Sequence, residues 1–164
     1  GFLGLPGFQV QKVKALPSPS PNLVGRPVSI EEAGRLAGFP LLVARPPEKV
    51  RAVAFYDTPP GGEVEFDLAG GAIVTEVTGY VDSGFFGKMV GPDGQASEVD
   101  VGGDKGYWVT GLHAFFYTDG SGHFQNDVLR LAGSTLVFER KGVLIRIEGA
   151  KNKADALRIA ALIN

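Results

Sequence analysis

Residues 134–163 read STLVFERKGVLIRIEGAKNKADALRIAALI, and this stretch decides the fold. Within it Val143, Ile145 and Ile147 fall on one side of an extended chain and Leu144, Arg146 and Glu148 on the other, the period of two of a strand. ERKG, residues 139–142, separates that strand from the preceding one as a tight connection. The expectation is an antiparallel meander with one packed face. Asn152 then stands at an N-cap position with Asp155 three residues on, opening a helix over 153–163. Ala156, Leu157, Ala160, Ala161 and Leu162, with Ile159 and Ile163, give that helix a broad apolar side. It has to cover the sheet.

Upstream, the same alternation recurs. VRAVAFYD (50–57) and EVEFDL (63–68) read as strands joined by the TPPGG turn, with Glu63, Glu65 and Asp67 on a solvated face. AIVTEVTGYV (72–81), KGYWVTG (105–111), LHAFFYTDGSG (112–122) and DVLRLAG (127–133) extend the series. SIEEAGRLAGFP (29–40) carries a second helix signal: Ser29 caps, Glu32 completes a capping box, and Gly38 with Pro40 stops it. Together these elements predict an α+β domain. Its curved, half-barrel-like antiparallel sheet is packed by a short helix in the N-terminal half and by a C-terminal helix.

The chain of 164 residues is expected to form a single domain spanning 1–164. Pro17, Pro19 and Pro21 mark residues 15–22 as a connector inside it, leaving FQVQKVK (8–14) to join the sheet late or to lie outside it. The chain opens on Gly1 without a methionine, which suggests a removed upstream segment or a residual scar of expression. No run of about 18 apolar residues spans a membrane, so membrane attachment would need an anchor outside this chain.

Sixteen basic and eighteen acidic residues are scattered and leave a net charge of -2, which argues against a nucleic-acid surface. The absence of cysteine excludes thiolate chemistry and cysteine-ligated metals. His113 and His123, with Asp119 and Asp127, read as strand and turn residues before they read as a metal site. DGSG (119–122) lacks the spaced ligands of a calcium loop, no serine sits in a G-x-S-x-G elbow, and the glycine pairs read as hairpin turns. Glu76, Glu139 and Glu148 are expected to meet Arg130 or Arg146 as ion pairs. No catalytic residue, metal or cofactor is assigned.

What remains is aromatic. In DSGFFGKMVGPDGQAS (82–97), Phe85, Phe86 and Met89 sit among glycines, as a hairpin with core-facing aromatics or as a partner-binding flap. In GYWVTG, Tyr107 and Trp108 face opposite sides of a strand, so one anchors the core while the other faces a groove or solvent. With His113 these are the candidate contact residues for a protein partner or an apolar small molecule.

Three segments, VSIEEAGRLAGFPLLVARP (28–46), GYWVTG (106–111) and LRLAGSTLVFERKGVLIRIEGAKNKADALRIAALI (129–163), carry a resemblance. They resemble an extracytoplasmic bacterial domain of unknown function found in proteins related to anti-sigma factors and in lipoproteins, distantly similar to lipoprotein-carrier half barrels. Its landmarks are matched by Glu31, Glu32, Ala33, Gly38, Phe39 and Pro40, then by Asp155, Ala156, Leu157, Ile159 and Ala160. Arg45 between Ala44 and Pro46 departs from the pattern. The resemblance implies a noncatalytic interaction or sensory domain outside the cytoplasm, or else a carrier of a lipid or other apolar ligand. It does not imply sigma-factor inhibition, since the helical segment for that is missing.

Overall fold

A computed structural model describes residues 2–5, 8–12, 25–57, 61–78, 86–90, 95–110, 113–118, 124–125, 131–132 and 134–164, with side-chain surroundings for 25–57, 61–77, 95–110 and 134–164. In chain order the elements are β1 (Phe2–Leu5), β2 (Phe8–Lys12), β3 (Arg26–Pro27), α1 (Ile30–Leu36), β4 (Val50–Tyr56), β5 (Glu63–Leu68) and β6 (Ile73–Thr78). They continue with β7 (Phe86–Val90), β8 (Gln95–Val101), β9 (Asp104–Thr110), β10 (His113–Thr118), β11 (Phe124–Gln125) and β12 (Leu131–Ala132). The chain closes with β13 (Thr135–Arg140), β14 (Val143–Glu148) and α2 (Lys153–Ala161).

Eight strands form one curved, open antiparallel sheet in the order β3-β4-β5-β6-β14-β13-β9-β8. The fold is therefore α+β, with α1 and α2 on this sheet, as the sequence predicts. Hairpin geometry sets the register. At ERKG, Lys141 and Gly142 both take positive φ (53° and 77°), the pairing whose twist matches two antiparallel strands. β13 and β14 then run in unbroken register from Arg140↔Val143 to Thr135↔Glu148.

On the helix side, alternate residues build the core: Val53, Phe55, Val64, Phe66, Leu68, Val74, Leu136, Phe138, Val143, Ile145 and Ile147 meet Ala33 of α1 and Ala156, Ile159 and Ala160 of α2. Both helices start as expected. Ser29 Oγ accepts from the Glu32 amide at 3.0 Å, and Asn152 Oδ1 accepts from the Asp155 amide at 2.9 Å. The capping box does not close, because the Glu32 carboxylate pairs with Arg35 instead. Asp155 reaches back to the Lys151 amide, and that bond is the first cause holding its carboxyl below the usual range.

The far end of α2 is held by two arginines. Arg140 Nη1 donates to the carbonyls of Ala160 and Ile163, both at 2.7 Å, while Nε pairs with Asp104 and Nη2 donates to the Val101 carbonyl. Arg45 donates to the carbonyls of Ala161 and Leu162, and Ala44 bridges Ile163. Helix C-termini leave carbonyls without intrahelical partners, and here guanidinium groups supply the donors.

β2 lies outside the eight-stranded sheet, one of the two placements expected for it: it belongs to a second sheet ordered β1-β2-β7-β10-β11 with β12 also on β10, and it pairs parallel to β7. Other expectations change. β7 and β8 belong to different sheets and do not pair with each other as the strands of a hairpin would. The eight-stranded sheet also has two packed faces: Leu144 and Arg146, which alternate with the core residues of β14, are each 2% exposed. The connector at 15–22 lies outside the described residues.

Candidate functional site

The two aromatics of GYWVTG separate as the strand geometry requires. Trp108 pairs with Leu136 on β13 and Ser97 on β8, on the helix side of the sheet, where it is half-buried against the core. Tyr107 pairs with Val137 and Glu98 on the far face and is buried. Gly106 before them is needed for close approach: a Cβ there would lie 2.7 Å from the Val137 carbonyl oxygen and 2.8 Å from Val101 Cγ2.

β8 ends the sheet, so its outer edge has no strand partner among the described residues. Gln95, Ser97, Glu98 and Asp100 are exposed along it. At the β8–β9 tip, a depression of about 340 Å³ is lined by Glu98, Val99, Asp100, Gly103, Asp104 and Lys105. Its acidic groups have local partners: Lys105 lies 3.4 Å from Glu98, Asp100 accepts from the Gly103 amide, and Asp104 pairs with Arg140. Among the described residues no group of three or more acidic or histidine side chains is placed to hold a metal ion.

Of the other candidates, Phe85 lies outside the described residues. Phe86, Met89 and His113 are described by backbone alone. Phe86 pairs with Phe8 and Tyr117, Met89 with Gln11 and Ala114, and His113 with Val90 and Ala132. They share the second sheet, apart from the strands of Tyr107 and Trp108.

Charged groups that sequence reasoning placed in solvent or left unresolved are buried in the eight-stranded sheet. On its far face Arg146 lies 2.9 Å from Glu148 and 3.7 Å from Glu63, and donates to Thr75 Oγ1 at 3.3 Å. Glu63 is fully buried, against the expectation of a solvated face. On the helix side Glu76 is fully buried too, and it accepts from the Leu42 amide at 2.8 Å, with no arginine paired to it among the described residues; Arg130 lies outside them. Burial pushes its carboxyl up to about 8, opposed by that hydrogen bond. Burial also raises Glu139.

The available signal was in the alternate positions. Val77, Leu144, Val137, Tyr107 and Val109 place apolar residues on the second parity of β6, β14, β13 and β9 as well as on the first, which is the mark of strands buried on both faces.

Compared with protein families, with curated proteins and with solved structures, the chain finds no match. No described helix is long and apolar enough to cross a membrane.

Proposed function

We propose that this chain is a noncatalytic interaction domain that takes an extended segment of a partner protein along the β8 margin. The observation that carries the reading is the pairing of an edge strand with a half-buried tryptophan: β8 ends the sheet, and Trp108 stands beside its Ser97. Sheet edges bind extended peptides through the backbone, and tryptophan is among the residues that most often anchor such contacts. Glu98 and Asp100 are exposed on β8, so the complementary segment carries lysine or arginine at alternate positions. A location outside the cytoplasm is part of the same proposal and rests on the resemblance of residues 28–46 and 129–163. Those two segments meet in space where Ala44 bridges Ile163 and Arg45, a departure from the pattern, donates to the end of α2.

A core packed by Leu68, Phe138, Ile145, Ile147 and Ile159 supports a binding surface over carriage of an apolar ligand beneath the helices. The test is to pan the full chain against a displayed library of extended peptides. Enrichment of alternating basic residues is expected, with binding weakened at least about tenfold by Glu98→Lys with Asp100→Lys and by Trp108→Ala. Peptides indifferent to both changes, or no enrichment, would refute the site. Native and denaturing mass spectrometry of the purified chain reads the carrier alternative, which requires a mass released only on denaturation.

A further inference from the structure

Between α1 and β4 the chain crosses the sheet as a strap, residues 37–49. Its Phe39 and Leu42 are buried, Ala44 bridges Ile163, and the Leu42 amide donates to Glu76 Oε1. The other carboxyl oxygen, Glu76 Oε2, is buried and has no hydrogen-bond partner among the described residues. We infer that Glu76 is a proton-dependent latch: protonated, it holds the strap on the sheet, and loss of the proton releases the strap.

The surroundings of Glu76 argue for this. It pairs in register with Val64 on β5 and Ile145 on β14, and its face of the sheet continues with Val74, Phe66 and Phe138. The charged residues of those strands, Glu63, Glu65, Asp67, Arg146 and Glu148, occupy alternate positions and therefore the opposite face. On β13 the same-face cation is Arg140, which is committed to Asp104 and to the carbonyls of Val101, Ala160 and Ile163. Glu31 and Arg35 of α1 and Lys153 and Arg158 of α2 are exposed, Glu32 pairs with Arg35 and Asp155 with Arg158, while Arg45 and Glu48 of the strap bond to the end of α2 and to Arg158. Among the described residues an ionised Glu76 would thus be a buried charge without a counter-ion. Lifting the strap is the movement that lets water reach it.

The direction follows from linkage. In the closed form the carboxyl holds its proton up to about pH 8, whereas an exposed glutamate releases it near 4.5. Between those values the closed form binds the extra proton, so raising the pH favours opening, by about tenfold per pH unit. Below the lower value and above the upper one the dependence disappears.

Hydrogen exchange with mass spectrometry on the full chain tests the latch. After correction for intrinsic rates, the opening constant of amides at 39–45 should rise about 100-fold between pH 5.5 and 7.5, while amides of β13 and β14 change far less. In Glu76→Gln, which keeps the acceptor for Leu42 and cannot ionise, the rise should vanish. A flat wild-type profile, an unchanged rise in the variant, or an equal rise in β13 and β14 would each overturn the inference. The wild-type profile and the strap-to-hairpin comparison are read without any variant.

Discussion

Replacing Arg146 with methionine asks whether the far face of the sheet is a structural layer. The guanidinium is 2% exposed and faces Glu148 at 2.9 Å and Glu63 at 3.7 Å, the latter side chain 1% exposed. At an effective dielectric near 20, two charges about 4 Å apart attract by roughly 4 kcal/mol, while removing each ion from water costs several kcal/mol. The assembled network therefore contributes little net stability. Taking away the cation alone is different, because the carboxylates stay buried after their attraction is lost. Arg146→Met should lower stability by about 3–5 kcal/mol in urea unfolding followed by Trp108 fluorescence. Adding Glu63→Gln should restore a large part, with a coupling of about 1–3 kcal/mol. A single variant within about 1 kcal/mol of wild type, or a double variant no better than the single, would refute the argument. Loss of peptide binding at unchanged stability would move the site from β8 to this face.

Arg140→Ala should cost about 3 kcal/mol in the same assay, and Arg140→Lys less, since an ammonium cannot reproduce the planar fork that spans Asp104 and three carbonyls; equal stability of the lysine variant and wild type would contradict this. Lys141→Asn should stabilise the fold by about 0.5 kcal/mol, read as a small rise in the thermal midpoint, because asparagine tolerates the positive φ of that turn better than lysine. Gly106→Ala should cost about 1–3 kcal/mol, as the new methyl meets the Val137 carbonyl and Val101 within the sheet; a neutral result in urea unfolding would show that β9 can shift.

The hairpin at 135–148 and both helix starts were legible because each is a local signal: alternation, a capping side chain, a two-residue turn. The order of the C-terminal strands departs from the expected meander, since β13 pairs with β9 while β10 and β12 lie in the second sheet. The second sheet was not. Parallel pairing of β2 with β7 joins residues 8–12 to 86–90, and no local pattern encodes a partner that far along the chain. For the candidate site, strand parity correctly separated Tyr107 from Trp108, but it left open which of them would be buried. Glu63 was misplaced because a lone strand such as EVEFDL looks half-solvated when its neighbours are ignored. Glu76 was opaque for a related reason: both parities of AIVTEVT are apolar, so neither marks the carboxylate as inward.

The same burial bears on function. Val109, Val137 and Leu144 close the far face as completely as Val143, Ile145 and Ile147 close the helix side. A sheet whose residues are buried on both faces presents little of itself except margins, and its two margins differ. At β3 only Arg26 and Pro27 are in strand, and proline supplies no amide donor there. At β8 seven residues run to the end of the sheet, guarded by Glu98 and Asp100 and flanked by Trp108. Acidic side chains on an edge repel a second copy of the same edge and admit a basic strand. The margin that can accept an extended partner is thus also the one whose charge selects among partners, which is why reversing Glu98 and Asp100 together is the decisive substitution for the proposed site.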